Sequence, residues 1–117
     1  MGARRRKSNT ALVGNVGEYL FCAESSSRGC VPYLPIGSAK GIDVILLTPT
    51  GRRVTGQVKA QGTDQLHTVD LCTNIMADVL AVCHLGDWYL MPGSEVKGRT
   101  VNILQVKKWN GNWSLIK

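Results

Sequence analysis

The sequence has few of the features that mark a secreted, membrane or zinc-binding protein. Its 117 residues include four cysteines, none in a Cys-x-x-Cys pair. No apolar run approaches the roughly 20 residues that a membrane-spanning helix needs. The cysteines and the two histidines lack the ligand spacing of known zinc sites. Because the chain opens on a basic run without a signal-peptide pattern, we expect free thiols and an intracellular, globular protein.

Acidic side chains are also scarce, and the balance of charge points to an anionic partner. Eight Asp and Glu stand against fourteen Lys and Arg, which leaves a formal charge of +6. Four positive residues stand together as Arg4, Arg5, Arg6 and Lys7. Such a cluster gains affinity for a polyanion by releasing counterions. Nucleic acid is therefore the expected partner class, ahead of an anionic membrane surface.

The first predicted element is a helix that begins at a capping residue, Ser8 or Thr10, and runs to about Arg28. One face carries apolar side chains at helical spacing, which predicts that it packs on the core. That face consists of Leu12, Val16, Tyr19, Leu20 and Ala23. A second strip of small residues would let another element approach closely, and it consists of Ala11, Gly14, Cys22 and Ser25.

A run of strands follows the helix. Residues 42–47 are apolar apart from Asp43, which is typical of a strand buried on both faces. Residues 53–61 alternate strictly, so a hairpin places this strand beside the previous one. We expect one α/β domain over residues 10–117, preceded by a basic arm at 1–9. Its N-terminal helix leads into a central mixed β-sheet.

One acidic residue stands out in this arrangement. Asp43 is the only charge at the start of the apolar strand, and the hairpin brings it near Gln57 and Lys59. A carboxylate in apolar surroundings is costly unless it is paired or binds a metal ion. A structural ion pair between Asp43 and Lys59 is the simplest alternative to a functional site.

The order of these residues resembles the PD-(D/E)XK nuclease core. Gly17-Glu18 lies on the helix, Asp43 begins a strand, and Gln57-Val58-Lys59 follows on the next strand. The pattern is most similar to small homing endonucleases of group I introns, and its layout resembles Holliday-junction resolvases. The resemblance covers roughly residues 10–96 and implies a restriction-endonuclease-like fold, with helices flanking the sheet. Two positions depart from the pattern: Ile42 replaces the usual proline and Gln57 replaces the usual acid.

This resemblance implies a Mg²⁺-dependent endonuclease, with Mn²⁺ as a substitute, that cuts duplex or branched DNA. Asp43, Gln57, Glu18 and the Val58 carbonyl would hold the ion, and Lys59 would act on the attacking water or the phosphoryl oxygens. A homodimer or tetramer would supply the two sites that cutting both strands needs. The expected DNA contacts are Arg4, Arg5, Arg6, Lys7, Ser38, Lys40 and Gln61.

Two other functions remain open on the sequence alone. Gln57 in place of an acid is compatible with a nucleic-acid-binding module that kept the nuclease fold without its activity. A basic protein–protein interaction domain is the third reading. Cleavage of DNA would indicate the enzyme, and binding without cleavage would indicate the inactive module. Absence of nucleic-acid affinity would indicate the interaction domain.

Overall fold

The computed structural model describes residues 16–37, 41–61 and 67–117. Residues 16–27 are helical and form α1. The strands are β1 (Val31–Tyr33), β2 (Val44–Leu47), β3 (Arg53–Gln61), β4 (Thr68–Asp70), β5 (Val79–His84), β6 (Asp87–Pro92) and β7 (Thr100–Asn102). A short helix α2 covers Ile103–Val106, and 3-10 turns cover Gly93–Glu95, Lys107–Trp109 and Trp113–Ile116. Within these residues no helix has the length and apolar character to cross a bilayer.

Five strands form a central mixed sheet in the order β1-β2-β3-β5-β6. The β3–β5 pair is parallel, whereas β1–β2, β2–β3 and β5–β6 are antiparallel. The predicted hairpin of β2 and β3 is present, with Val44 opposite Gly56. A single α/β domain with an N-terminal helix and a mixed central sheet is therefore confirmed.

The two faces of the sheet are covered differently. Helix α1 packs on one face, where Phe21 joins a core cluster that includes Val44 and Val58. On the other face, a small sheet of β4 and β7 lies with α2 over β5 and β6, and Leu71 after β4 reaches Gln57 on β3. Leu80, Val82 and Val106 belong to that second cluster. A small sheet and a short helix thus occupy the layer where the resemblance implied a flanking helix.

The predicted orientation of α1 is wrong. Val16, Tyr19 and Leu20 are 50%, 62% and 49% exposed, whereas Phe21 and Ser25 are fully buried. Leu12, Ala11 and Gly14 lie outside the described residues. The apolar stripe faces outward because Phe21 and the small residues on its side fit against the sheet more closely than a broad stripe can.

Gly17 is the closest point of this contact. A Cβ added at Gly17 would lie 2.6 Å from the Cβ of Ala60 on β3, a separation that real Cβ atoms do not show. Only glycine therefore lets the first described turn of α1 approach β3 this closely. The contact fixes the depth at which the next residue, Glu18, meets the sheet.

Aromatic side chains close the far end of the same core. The ring of Phe21 lies 5.3 Å from Trp88 and stacks on Trp113 at 6.2 Å, centroid to centroid. The guanidinium of Arg28 lies 4.0 Å from the Trp113 ring centroid. The C-terminal 3-10 turn therefore packs against α1 through Trp113, and the Trp113 ring belongs with the core.

We expect Gly17→Ala to lower the free energy of unfolding by about 1–3 kcal/mol, because the added methyl group forces α1 away from Ala60. Urea titration followed by circular dichroism measures this change. The double variant Gly17→Ala/Ala60→Gly removes the clash and should recover much of the loss. Alanine is the better helix former by about 1 kcal/mol, so a single variant more stable than the native chain would contradict this packing.

Candidate active site

The hairpin of β2 and β3 fixes the position of Asp43. Val44 pairs with Gly56, so the residue before β2 lies beside the middle of β3. The Asp43 N–H donates to the Gly56 carbonyl at 2.8 Å. The Asp43 carboxylate oxygen Oδ2 accepts the Val58 N–H, also at 2.8 Å. Two backbone contacts therefore orient this half-buried carboxylate.

Glu18 reaches the same place from α1. Its partial burial raises the pKa of the carboxyl above 4.5, and the negative charge of Asp43 and a side-chain hydrogen bond to Asp43 raise that pKa further. A hydrogen bond between two carboxyl groups needs a proton on one of them. The helix and the sheet thus bring two carboxyl groups together, and within residues 16–37, 41–61 and 67–117 no cationic side chain forms an ion pair with either.

Gln57 lies on β3, and its side chain is held on the second face of the sheet. Its side chain is buried, with 4% of the residue exposed. The amide Nε2 donates to the Leu71 carbonyl at 3.4 Å, a long hydrogen bond to the residue that follows β4. The amide Oε1 is buried and has no hydrogen-bond partner among the residues that the structure describes. An unsatisfied buried acceptor costs about 1–3 kcal/mol, so this oxygen is an available ligand.

Lys59 and Gln61 continue the face of β3 that carries Gln57. Both are half-buried, and their neighbours on β5 in the parallel register are Val82 and His84. Among the described residues the one ion pair joins Glu24 and Arg28, at 3.8 Å. Asp43 and Lys59 therefore do not form the structural ion pair that the sequence left as an alternative.

The donor set at this place consists of oxygens. The described part of the chain contains no group of three His, Cys, Asp or Glu side chains able to hold a metal ion. Glu18 and Asp43 offer carboxyl oxygens where α1 meets the hairpin, whereas the Gln57 amide oxygen is buried on the other face of the sheet. Hard divalent cations such as Mg²⁺ prefer oxygen ligands and need only one or two carboxylates.

The other predicted DNA contacts are not among the residues that the structure describes. Arg4, Arg5, Arg6, Lys7, Ser38 and Lys40 fall outside the described residues. Sequence reasoning missed Gly17 as the helix–sheet contact and the Leu71 carbonyl as the partner of Gln57. A glycine in a helix, directly before an acid, was the available signal for the first. No sequence signal marks a backbone carbonyl.

Comparison with known proteins supports the fold assignment. No family model matches the sequence, and no curated protein matches it. The chain is similar to a solved structure described as a bacterial homing endonuclease, I-Ssp6803I. The TM-score is 0.72 at 16% sequence identity, over 92% of each chain. At this identity the likeness shows the fold: the chain is built like that endonuclease.

We expect Glu18→Gln to stabilise the metal-free protein near pH 7. A carboxyl whose pKa is raised in the folded state stabilises the fold when protonated, and this contribution is lost as pH rises from about 4.5 through the folded pKa. Glutamine avoids that loss, so the variant and the native protein should differ at about pH 7 and converge below 4.5. Thermal unfolding across this pH range measures the difference.

Glu24→Gln is the matched control, because Glu24 lies on the same helix and pairs with Arg28. Loss of this ion pair should leave the free energy of unfolding unchanged or slightly lower at about pH 7, as for other exposed ion pairs. Equal stability of Glu18→Gln and the native protein at all pH values would contradict the contact between Glu18 and Asp43.

Proposed function

We propose that this chain is a divalent-metal-dependent DNA endonuclease of the PD-(D/E)XK type. The observation that carries the proposal is the contact between Glu18 and Asp43, two carboxyl groups from different elements. Like charges this close are costly unless a proton or a cation lies between them. The similarity in fold to a homing endonuclease supports DNA as the proposed substrate class.

The oxygens at this place fit Mg²⁺, with Mn²⁺ as a substitute. Asp43 and Glu18 would supply the carboxylates, and Gln57 Oε1 and the Val58 carbonyl would supply neutral oxygens. Such an ion, when bound, makes a water molecule more acidic and draws charge from the phosphoryl oxygens. Gln57 contributes no negative charge, so this donor set should bind the ion more weakly than one with a third acid.

The remaining roles belong to the chain's own side chains. The Val58 N–H holds the Asp43 carboxylate in one orientation. Lys59 supplies a positive charge for the attacking water or a non-bridging phosphate oxygen. Gln61 and the basic arm at residues 1–9 would contact the DNA backbone, which positions the substrate without reading its sequence. The nuclease-like domain would span residues 10–117.

A silent DNA-binding module is the second candidate, and one observation favours it. Gln57 donates a hydrogen bond to the Leu71 carbonyl, which gives this residue a structural reason to be present. In that case Asp43 and Glu18 would remain without a catalytic role. Binding of DNA with no cleavage in Mg²⁺ or Mn²⁺ would identify this module.

Cleavage of plasmid DNA and of a synthetic four-way junction tests the enzyme directly. We expect Mg²⁺-dependent cleavage that Asp43→Asn and Lys59→Ala each reduce by about 100-fold or more, because each removes charge stabilisation of the transition state. Lys97→Ala, at an exposed lysine near Glu95 and Lys108, is the matched control for lost positive charge and should keep most of the activity. Metal-dependent cleavage that survives Asp43→Asn would contradict the proposed site.

Gln57→Glu tests the role of the amide oxygen. An added carboxylate should lower the Mg²⁺ concentration for half-maximal thermal stabilisation several-fold, since each extra charge tightens binding of a hard cation. Without metal the variant should unfold more easily, because it buries a charge and loses the donor to Leu71. Gln57→Leu, which keeps the burial and loses the oxygen, is the comparison. Identical Mg²⁺ titrations of all three proteins would exclude Gln57 as a ligand.

A further inference from the structure

At the end of β4 the chain makes a turn over residues 70–72, the 70–72 turn, which one arginine holds at two points. The Leu71 N–H donates to the Arg99 carbonyl at 2.8 Å. The Arg99 guanidinium Nη2 donates to the Cys72 carbonyl at 3.0 Å. Arg99 directly precedes β7, which pairs with β4. The backbone and the side chain of one residue therefore join this turn to the small sheet.

Cys72 gives the turn its sharp bend. Its φ is 62°, in the left-handed region that favours glycine and that other residues keep only where surrounding contacts impose it. The Cys72 N–H donates to Asp70 Oδ1 at 2.8 Å. Because the N–H and C=O groups of a trans peptide point in opposite directions, this bond turns the Leu71 carbonyl away from Asp70. The carbonyl then faces Gln57 on β3.

The Leu71 carbonyl and the Gln57 amide meet inside the protein. Leu71 is 2% exposed and Gln57 is 4% exposed. Leu71 belongs to the second core cluster, and so does Leu80, the β5 neighbour of Gln57 in the parallel register. A carbonyl that is buried among apolar side chains needs a donor. Gln57 Nε2 supplies that donor at 3.4 Å.

This contact decides which side chain fits at position 57. The glutamine amide offers N–H donors, whereas an ionised glutamate offers only acceptors. A carboxylate at this position would place two acceptors against each other and would bury an unpaired charge. The contact also orients the amide of Gln57. With Nε2 on the Leu71 carbonyl, Oε1 is the atom left without a partner among the described residues.

We propose that Arg99 is a positioning residue of the candidate site. By holding the 70–72 turn it keeps the Leu71 carbonyl on Gln57, so position 57 takes a neutral amide where the nuclease pattern has an acid. The proposal rests on the function proposed above, because it concerns a residue of that site. Arg99 is exposed and acts on Gln57 only through the turn.

The consequence for the candidate site is its charge. Among the proposed ligands, only Glu18 and Asp43 then carry negative charge. These two carboxyl groups already resist ionising together. A glutamine that the fold requires at position 57 has a cause other than loss of activity. The amide therefore does not by itself favour the silent module over the enzyme.

A role of Arg99 in the stability of the small sheet alone is the alternative, and Asn102 on β7 is the matched comparison. Asn102 pairs with Thr68, at the other end of the β4–β7 ladder from the 70–72 turn. Its side-chain oxygen accepts the Leu104 N–H at 2.8 Å and caps α2. Loss of such a cap lowers the stability of the fold. Asn102→Ala should therefore weaken this layer and leave the contact between Leu71 and Gln57 in place.

NMR of the side-chain amides in the metal-free full chain tests the proposal directly. The sequence contains four glutamines, so labelling of glutamine gives few signals, and Gln57→Leu identifies the signal of Gln57. In the native protein this amide should exchange with solvent at least about tenfold more slowly than that of the exposed Gln105. Arg99→Ala should shift the Gln57 signal and speed its exchange about tenfold. Arg99→Lys keeps a donor for the Cys72 carbonyl and should recover part of the loss.

Asn102→Ala should lower the melting temperature and leave the Gln57 signal unchanged. An unchanged Gln57 signal in Arg99→Ala would overturn the proposal. An equal change in Asn102→Ala would assign Arg99 to the general stability of the layer and overturn it as well. If Arg99→Ala does not fold, Asp70→Ala takes its place, because Asp70 fixes the same peptide unit from its N–H.

A double-mutant cycle tests the exclusion of an acid. Gln57→Glu should lower the urea midpoint of unfolding in the native background. It should lower the midpoint clearly less together with Arg99→Ala, because the released Leu71 carbonyl can turn away from the carboxylate. Gln57→Leu adds no acceptor and should couple more weakly to Arg99→Ala. Equal losses from Gln57→Glu in the two backgrounds would contradict the proposal.

The outcome is separable from that of the nuclease proposal, because these measurements use neither metal nor DNA. A Gln57 amide that responds to Arg99→Ala in a protein that never cleaves DNA would refute the nuclease and keep the positioning role. Cleavage by a protein whose Gln57 amide is indifferent to Arg99→Ala would refute the positioning role and keep the nuclease.

Discussion

The approach of helix α1 to strand β3 at Gly17 is the contact on which the candidate site depends. A side chain at Gly17 would collide with Ala60, so the helix lies at this depth only because the position is glycine. Phe21 then fills the core between α1 and the sheet, and Trp113 closes over it. This packing also sets the position of Glu18, because its side chain extends from α1 to Asp43, the residue before β2.

The Glu18 and Asp43 carboxylates repel each other when both are ionised, and a bound cation would reduce this repulsion. Burial and the neighbouring Asp43 raise the pKa of Glu18, which means that the two carboxyl groups resist ionising together. On the other face of the sheet, the buried Gln57 Oε1 lacks a hydrogen-bond partner among the described residues. Polar groups left in this condition cost stability in the metal-free fold, and proteins keep such costs where they serve binding or catalysis. This is the physical link between the fold and the proposed nuclease.

Two apolar surfaces lie outside the core, one on α1 and one on β1–β2. The stripe of Val16, Tyr19 and Leu20 was predicted to be buried, and β2 was predicted to be covered on both faces. The core volume is limited: one helix covers one face, and β4, β7 and α2 cover half of the other. Contiguous exposed apolar side chains of this kind are typical of interaction surfaces on soluble proteins.

The sequence by itself determined the strand pattern, the hairpin that carries Asp43 to β3, and the residue types of the candidate site. These are local properties, since alternation and turns act between neighbours in the chain. Periodicity could not decide which face of α1 is buried, because the apolar stripe and the small-residue strip compete and steric fit against Ala60 settles the choice. The meeting of Glu18 with Asp43 and the bond from Gln57 to Leu71 likewise join residues from separate elements. Only the tertiary structure decided them, because burial and long-range packing have no counterpart in a local pattern.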